Sequence, residues 1–371
     1  MTFLKNQTMY QPELATIRQQ LHEAIDVLEC PPSVALLDHP NHPNVGDSLI
    51  WLGEVFYFTQ TQGAQVGYMC NRRNFSPHEL EKQVGSESPI FLHGGGNFGD
   101  VWPFYQKFRE NIIERYPDRP IVILPQTIFF KDTDNIAPIA RLFNDHGKIT
   151  IFVRDNYSYE IATKHFHNCR VFKAPDMAFE MVGIPAPKLL SPLPKTPLYL
   201  SRKDQEANIS CDFSHLGISD LVVEDWAAYK YYYADTPRAW TPSGWRRVAR
   251  ETKRQGTLLP WEWISRQLWK YLHSYSKVFK DSYGLNAHLK SWCLMHHGVY
   301  QLLKYSPVIT NRLHGHITCV IFGIPHVFLP NSYYKNKGFY EAWTHTVPYC
   351  RFIEDPRNVR DAVMELSELY P

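Results

Sequence analysis

The sequence lacks the cysteine patterns that build disulfide frameworks or zinc sites. Its seven cysteines are an odd number without a Cys-x-x-Cys pair, and its histidines show no paired spacing typical of metal ligands. We therefore expect reduced thiols in a cytoplasmic protein and no metal site. Walker A, Gly-x-Ser-x-Gly and His-Glu-x-x-His motifs are also absent, which argues against the P-loop, hydrolase and metalloprotease classes that they mark.

Long apolar runs and a strong charge of one sign are missing as well. No window approaches the run of about 18 uncharged apolar residues that a membrane span requires. The polar N-terminal segment lacks the apolar region of a signal peptide. Lys and Arg total 39 against 37 Asp and Glu, a formal net charge of +2, so no global field attracts nucleic acid. We expect no membrane span, no signal peptide and no nucleic-acid partner.

Short apolar runs alternate with helical patterns along both halves of the chain. The predicted strands are residues 34–38, 64–69, 89–93, 120–125 and 148–154 in the first half, and 197–202, 219–225, 307–310 and 324–330 in the second. Near-continuous apolar strands separated by helices predict parallel sheets that helices cover on both faces. The predicted fold class is therefore α/β.

A proline-rich stretch at 183–197 has no periodicity and predicts a linker between two domains. We place the N-terminal domain at 1–185 and the C-terminal domain at 186–371, with a cleft between them. In such sheets, ligands bind beyond the carboxyl ends of the strands. The last periodic segment, about 356–369, predicts a closing helix. It packs either on its own domain or back on the N-terminal one.

The tetrapeptide Asn-x-Gly-Asp occurs twice, at 44–47 and at 97–100, each time after a predicted strand. In the first copy, Asp47 or Ser48 could cap the helix that follows. Alternatively, Asp47 projects into the cleft as a base or as a group that positions a hydroxyl. The residues alone leave both interpretations open.

Three consecutive glycines, Gly94, Gly95 and Gly96, precede the second copy. Glycine takes positive φ and lets backbone N–H groups approach a ligand closely. A helix starting near Val101 would favour an anion at this place. A tight strand-to-helix turn would need the same glycines for geometry alone, and the spacing does not choose between the two.

The segment TNRLHGHI places charged side chains at the carboxyl end of the predicted strand 307–310. Arg312 offers a fork of donors suited to a carboxylate or a phosphate, and His314 or His316 could transfer a proton near neutral pH. The alternative is an ion pair from Arg312 to an aspartate across the domain interface, with both histidines satisfied. Position at a strand end favours the functional interpretation.

Arg202 follows another predicted strand end, in the segment LSRKD. It is either an anion ligand or the ion-pair partner of Asp204 or Asp176. Together with Arg312, His314 and the glycine-rich amides it would form a pocket for a small anion that carries a carboxylate and a phosphate.

Residues 226–256 combine tryptophans and tyrosines with seven basic and two acidic side chains. This block could stack on an acceptor sugar or touch anionic lipid head groups. The alternative interpretation is that the block forms a lid that packs on the core and exposes a basic face to solvent. A peripheral contact with the inner face of the cell membrane is part of the first interpretation.

An ordered series of motifs runs through the chain. It consists of HPNVGDSLIWLGE, LHGGGNFGDVWP, ILPQTIFF, FVRDNYSYEIA, APDMAF, LSRKD, TNRLHGHI and GIPHVFLPNSYYKNKGFYEAW. Through this series the chain resembles the polysaccharide pyruvyltransferases, in particular the bacterial members of exopolysaccharide biosynthesis. The resemblance extends from about residue 33 to 345 and is weak only between about 205 and 285.

The resemblance implies two Rossmann-like domains in a glycosyltransferase-B-like arrangement. It also implies transfer of the enolpyruvyl group of phosphoenolpyruvate onto two hydroxyls of a sugar, in a polysaccharide or its lipid-linked precursor. The products are a pyruvate ketal and phosphate, and phosphoenolpyruvate is a co-substrate, so no cofactor is implied. The implied phosphoenolpyruvate contacts are Arg202, Arg312, Leu313 and His314. Acceptor-side or turn roles fall to Asn44, Gly46, Asp47, Gly94, Gly95, Gly96, Asn97, Gly99 and Asp100.

The residue chemistry agrees with this implied reaction. Ketal formation requires protonation of the methylene carbon of phosphoenolpyruvate, for which His314 is the candidate acid. A sugar hydroxyl then attacks, and Asp47 or Asp100 could accept its proton. Arg202 and Arg312 would hold the charge of the departing phosphate.

Two other functions use the same features. A nucleotide-sugar glycosyltransferase of the same architecture would bind a diphosphate with arginines and backbone amides. A non-catalytic subunit of a polysaccharide assembly complex would use the block 226–256 for binding. The sequence leaves the acceptor sugar, its hydroxyl pair and the oligomeric state open.

Overall fold

The structure is a computed structural model that describes residues 12–189, 196–202, 217–228 and 258–371. Its α-helices are α1 (Pro12–Ile25), α2 (Val45–Phe56), α3 (Pro77–Val84), α4 (Pro103–Arg115), α5 (Ile136–His146), α6 (Asn156–His165), α7 (Leu258–Leu272), α8 (Leu285–Leu302), α9 (Leu313–Phe322), α10 (Lys335–Phe339) and α11 (Val359–Leu369). Its strands are β1 (Ser33–Leu37), β2 (Gln65–Cys70), β3 (Ile90–Leu92), β4 (Gly95–Gly99), β5 (Ile121–Phe129), β6 (Ile149–Val153), β7 (Arg170–Lys173), β8 (Thr196–Leu200), β9 (Val222–Glu224), β10 (Tyr305–Thr310), β11 (His326–Phe328) and β12 (Cys350–Phe352). Within these ranges, no helix has the length and apolar character to cross a bilayer.

The first sheet has the strand order β2-β1-β3-β5-β6-β7, with β4 paired to β5, and every pair is parallel. The prediction of a parallel sheet built from buried strands is confirmed. Two of its strands were not predicted. β4 has the sequence Gly-Gly-Asn-Phe-Gly and no apolar alternation. The four residues of β7 are all partly or fully exposed, so they lack the apolar run of a central strand.

The second sheet has the order β12-β11-β10-β8-β9 and is also parallel. Four of its strands fall on the predicted segments, and β12 is a three-residue edge strand that the sequence pattern did not indicate. The α/β class is confirmed. The carboxyl ends of these strands carry the polar residues considered below.

All residues of helix α2 except Asp47 are buried, which is typical of a helix inside the core of a large protein. It packs on α8, on α9 and on the 3₁₀ turn Met177–Met181. The helix packs closely on the backbone of this 3₁₀ turn at Gly53, where a Cβ atom would lie 1.9 Å from the carbonyl oxygen of Met177. Glycine is therefore required there for close packing.

One hydrophobic core includes residues of α2, α8, α9 and both sheets. The division of the chain at 185 and 186 stays a prediction, because this core continues through both halves. The closing helix α11 packs on β10 and β11 of the second sheet. It therefore lies on its own half of the chain, and the alternative placement on the N-terminal half is not what the structure has.

Replacement Gly53→Ala tests the packing of α2. Helix propensity alone predicts a gain of about 1 kcal/mol for alanine over glycine. The contact with Met177 predicts instead a loss of about 1–3 kcal/mol, typical of an overfilled core. Urea denaturation measures the sign. Lys107→Ala on the exposed face of α4 is the control and changes stability by less than about 0.5 kcal/mol. A stabilised Gly53→Ala protein would contradict the described packing.

Candidate active site

His314 lies in the first turn of α9, against the first turn of α2. A Cβ atom on Gly46 would lie 2.5 Å from His314 Nδ1, so only glycine allows this approach. On its other side, His314 Nε2 is 3.5 Å from Asp176 Oδ2. Burial lowers the pKa of His314, and the nearby carboxylate of Asp176 opposes this shift without cancelling it. This direction favours a neutral imidazole at pH 7.

Asp47 is the carboxylate of the first Asn-x-Gly-Asp turn, and it is not a helix cap. Asn44 caps α2, since its side chain accepts a hydrogen bond from Gly46 N at 2.9 Å. Asp47 instead lies 2.7 Å from His42 Nε2. Burial raises the pKa of Asp47, but His42 and His314 outweigh it and hold that pKa well below its usual range. Asp47 is thus an ionised carboxylate near His314.

Two fully or nearly fully buried cations converge on Gly96. A Cβ atom there would lie 2.8 Å from Lys335 Nζ and 3.1 Å from Arg154 Nη2. Arg154 Nη1 is paired with the buried Asp176 carboxylate, whereas its Nη2 has no hydrogen-bond partner among the described residues. Burial raises the pKa of Asp176, but Arg154 and His314 together hold it well below its usual range. The sequence interpretation did not include Arg154, Lys335 or Asp176 in the site.

Arg202 and Arg312 lie at the ends of two neighbouring strands, β8 and β10. The backbone N–H of Arg202 donates to Asn311 Oδ1 at 3.0 Å, which brings the two segments together. Arg312 is nearly buried and its Nη2 is 2.7 Å from Asp225 Oδ1. An ion pair of Arg312 was the alternative interpretation, and it exists within the second half of the chain. It also orients the guanidinium beside the start of α9.

Leu313 is the first residue of α9, and its side chain is buried in the core. Only its backbone can therefore contact a ligand. The first N–H groups of a helix have no acceptor within the helix and favour an anion.

The glycine-rich segment has two different structural roles. Gly94 N donates to Glu54 Oε1 at 2.7 Å, so this amide is occupied by a carboxylate from α2. Gly95 to Gly99 form β4, and α4 begins only at Pro103. The expected helix start near Val101 is therefore displaced, and the segment is not a simple strand-to-helix turn. Gly96 alone of the three glycines lies against the cations Arg154 and Lys335.

The second Asn-x-Gly-Asp turn serves the frame of the first sheet. Asn97 Oδ1 accepts from Arg109 Nη2 at 2.7 Å. A Cβ atom on Gly99, with φ 124°, would lie 1.9 Å from the carbonyl oxygen of Phe129. Asp100 accepts from the backbone N–H groups of Lys131 and Asp132 and from Asn135. Partial burial raises the pKa of Asp100, but these hydrogen bonds hold it below its usual value. Asp100 thus anchors the loop after β5, and the two copies of the motif differ in structure.

His316 does not join His314 in the site. Its Nδ1 is 2.7 Å from His326 Nε2, and its Nε2 is 2.9 Å from Thr344 Oγ1. His326 Nδ1 in turn faces the carbonyl of Ile324 at 2.8 Å. Cys350 completes the one group with metal-ligand chemistry in the described ranges. The hydrogen bonds already satisfy all four ring nitrogens of the two histidines, so a neutral polar chain in the core accounts for their positions. Burial lowers the pKa of both rings.

The aromatic and basic block 226–256 lies outside the described residues from 229 onward. Trp226 and Ala228, at its start, are buried in the core.

A model of the family described as polysaccharide pyruvyl transferase matches residues 44–333. The chain is 28% identical over 347 residues to the candidate pyruvyl transferase EpsO of Bacillus subtilis, covering 92% of this chain and 94% of EpsO. It is 28% identical over 319 residues to Pyruvyl transferase 1 of Schizosaccharomyces pombe, covering 84% of this chain and 70% of that protein. The crystal structure of an uncharacterized Klebsiella pneumoniae protein covers 96% of this chain and 100% of its own, with a TM-score of 0.50 at 18% identity. That likeness concerns the fold alone.

Replacement Arg154→Met tests the buried charge cluster. It leaves Asp176 buried without its cation, which predicts a loss of about 3–5 kcal/mol in unfolding free energy. Arg351→Met, which breaks an exposed pair with Glu365, is the matched control and costs less than about 1 kcal/mol. Guanidinium denaturation measures both. Equal losses in the two variants would show that the buried pair is not formed as described.

Proposed function

Because the chain belongs to the polysaccharide pyruvyl transferase family, as its motifs predicted, we propose that it uses phosphoenolpyruvate as the donor. It transfers the enolpyruvyl group onto two hydroxyls of a sugar, forms a pyruvate ketal and releases phosphate. The observation that carries this proposal is the convergence of Arg154 and Lys335 on Gly96, beside the His314–Asp176 pair. Family membership supports a transferase, and the donor and the ketal chemistry rest on this geometry.

The charges of the site favour a multiply charged anion. Buried cations are costly unless anions pair with them. Asp176 compensates part of the positive charge of Arg154, whose Nη2 has no hydrogen-bond partner in the described part of the chain. A phosphate bound at Arg154 and Lys335 would supply the negative charge that Asp176 does not provide. The carboxylate of the same molecule would then lie toward the start of α9, where Arg312 and the backbone of Leu313 stand.

Proton transfers follow from the positions of His314 and Asp47. The bound anion raises the proton affinity of His314, which then protonates the methylene carbon. Asp47, ionised at neutral pH, accepts the proton of the attacking hydroxyl. Of the two hydroxyl protons, one ends on the new methyl group and the other leaves on phosphate, so the reaction balances without a cofactor.

The glycosyltransferase-B-like arrangement belongs to the same proposal. Two parallel sheets, with candidate site residues at the strand ends of both and α2 in the core that they share, support it. The acceptor is a sugar of a polysaccharide or of its lipid-linked precursor. Contact of the block 226–256 with the inner face of a membrane would serve a lipid-linked acceptor, and liposome flotation tests it.

Thermal unfolding with phosphoenolpyruvate, set against a panel of nucleotide sugars, tests the donor. A ligand at about 100 times its Kd adds roughly 2.7 kcal/mol, which is several degrees at about 2–4 °C per kcal/mol. We expect a shift with phosphoenolpyruvate that Lys335→Met abolishes. Lys337→Met is the matched control, since Lys337 lies on the same helix and pairs with the exposed Glu354.

Three results would contradict the proposed donor. A shift with a nucleotide sugar alone would favour a glycosyltransferase. Identical phosphoenolpyruvate shifts in Lys335→Met and Lys337→Met would place the donor elsewhere. No shift with any ligand would favour a non-catalytic subunit.

A further inference from the structure

Three buried polar atoms near the carboxyl ends of β1 and β3 have no hydrogen-bond partner among the described residues. They are Asp38 Oδ1, His93 Nε2 and Arg109 Nε. The three residues are 5%, 4% and 2% exposed. Buried polar groups in native proteins are nearly always paired, and a cluster of unpaired ones requires a reason. A polar ligand that binds among them is such a reason.

The surrounding residues hold His93 and Arg109 by their other atoms. His93 Nδ1 is 2.8 Å from Glu54 Oε2, so Nε2 is the ring nitrogen that stays available. Arg109 donates from Nη1 to Gln106 and from Nη2 to Asn97, which leaves Nε. Burial lowers the pKa of His93, but Glu54 outweighs it and raises that pKa above its usual value. Both side chains are therefore positioned donors.

Asp38 stands directly after β1 with a left-handed backbone, φ 71°. Aspartate adopts this conformation more readily than most residues, although it is still strained, and such strain is frequent at functional sites. The groups that face its carboxyl are His93 after β3, Arg109 on α4, Arg72 after β2 and His42 before α2. Burial raises the pKa of Asp38 to about 7, and these neighbouring groups oppose that shift without cancelling it.

Asp38 belongs to the same region as Asp47. His42 Nε2 is hydrogen-bonded to Asp47. His42 also interacts electrostatically with Asp38. The two carboxyls have opposite proton affinities, because the pKa of Asp47 is held well below its usual range. A pair of carboxyls with separated pKa values is a common arrangement for two distinct proton transfers.

Space for a larger molecule adjoins this cluster. Arg72 lines a cavity of about 660 Å³ together with residues of α4. The same guanidinium lies 5.2 Å from the centre of the Tyr105 ring, and that ring is 6.4 Å from the His42 ring. An oligosaccharide could therefore extend from His42 past Tyr105 toward the cavity.

We propose that Asp38, His93 and Arg109 form the subsite for the second acceptor hydroxyl, with Asp38 as its proton acceptor. This inference rests on the proposed function. His314 protonates the methylene carbon, which converts the C=C bond into a single bond. The first hydroxyl adds to C2 and gives its proton to Asp47, and one proton returns to His314. The second hydroxyl gives its proton to Asp38 and forms the second bond to C2. The bond from C2 to the phosphate oxygen breaks, and phosphate leaves with the electron pair and finally carries one proton away.

The first test compares the thermal stability of Asp38→Asn and wild type between pH 5 and pH 8. Because the pKa of Asp38 is raised in the fold, ionisation of this carboxyl destabilises the wild type as the pH rises. Asparagine keeps the shape and tolerates the left-handed backbone. We expect Asp38→Asn to be at least as stable as wild type at pH 8, with an advantage that shrinks toward pH 5.

Asp220→Asn is the matched control, since Asp220 also has positive φ, 56°, but is exposed. Its stability relative to wild type should not vary with pH in this range. A lower unfolding temperature of Asp38→Asn at both pH values would mean that the carboxyl is structural, and this would overturn the proposal. The stability comparison needs no acceptor sugar. It therefore tests the proposal even if none of the sugars tried is a substrate.

The second test measures phosphate release from phosphoenolpyruvate with a panel of p-nitrophenyl glycosides. We expect Asp38→Asn to retain the thermal shift with phosphoenolpyruvate and to lose about 10²-fold or more in kcat. Wild-type kcat in this variant would overturn the subsite alone. Absence of the phosphoenolpyruvate shift in wild type would instead contradict the proposed donor, so the two failures are distinguishable.

Discussion

Burial of α2 in the hydrophobic core that includes residues of both sheets is the constraint on which the rest of the structure depends. Its first turn brings Gly46 against His314, and its middle packs Gly53 on the backbone of Met177. Near its end, Glu54 binds Gly94 and His93. Because all residues of the helix except Asp47 are buried, any shift toward water would expose core residues. Core packing, rather than loop conformation, therefore sets the distances in the candidate site.

A second feature that determines the geometry of the site is that Arg154 and His314 share one buried carboxylate, that of Asp176. The carboxylate of Asp176 compensates the charge of Arg154 and also faces His314. One carboxylate therefore orients both the guanidinium and the imidazole. Lys335 adds positive charge at Gly96. These positive charges favour an anion, while burial lowers the pKa of the His314 imidazole. Binding of that anion is what would charge the imidazole, which couples donor binding to proton availability.

Much of the fold was predictable, because apolar strand runs and proline-rich breaks are local signals. The motif RLH also indicated one strand end of the site. Arg154, Lys335 and Asp38 were not identified, since each matters only through neighbours that are distant in sequence. The repeated Asn-x-Gly-Asp turn shows the same limit of prediction from local sequence. Two tetrapeptides with the same Asn-x-Gly-Asp pattern became a helix start at Asn44 and the end of β4 at Gly99, because their partners differ.

The most direct test of the central claim is the number of protons taken up when phosphoenolpyruvate binds at pH 7. Calorimetric titration in two buffers of different ionisation enthalpy measures it for wild type and His314→Gln. The pKa of His314 lies below its usual value, and a bound anion would raise it. Wild type should therefore take up more protons than the variant, by up to about one. Equal uptake in both proteins, or no binding by wild type, would contradict a donor site at His314.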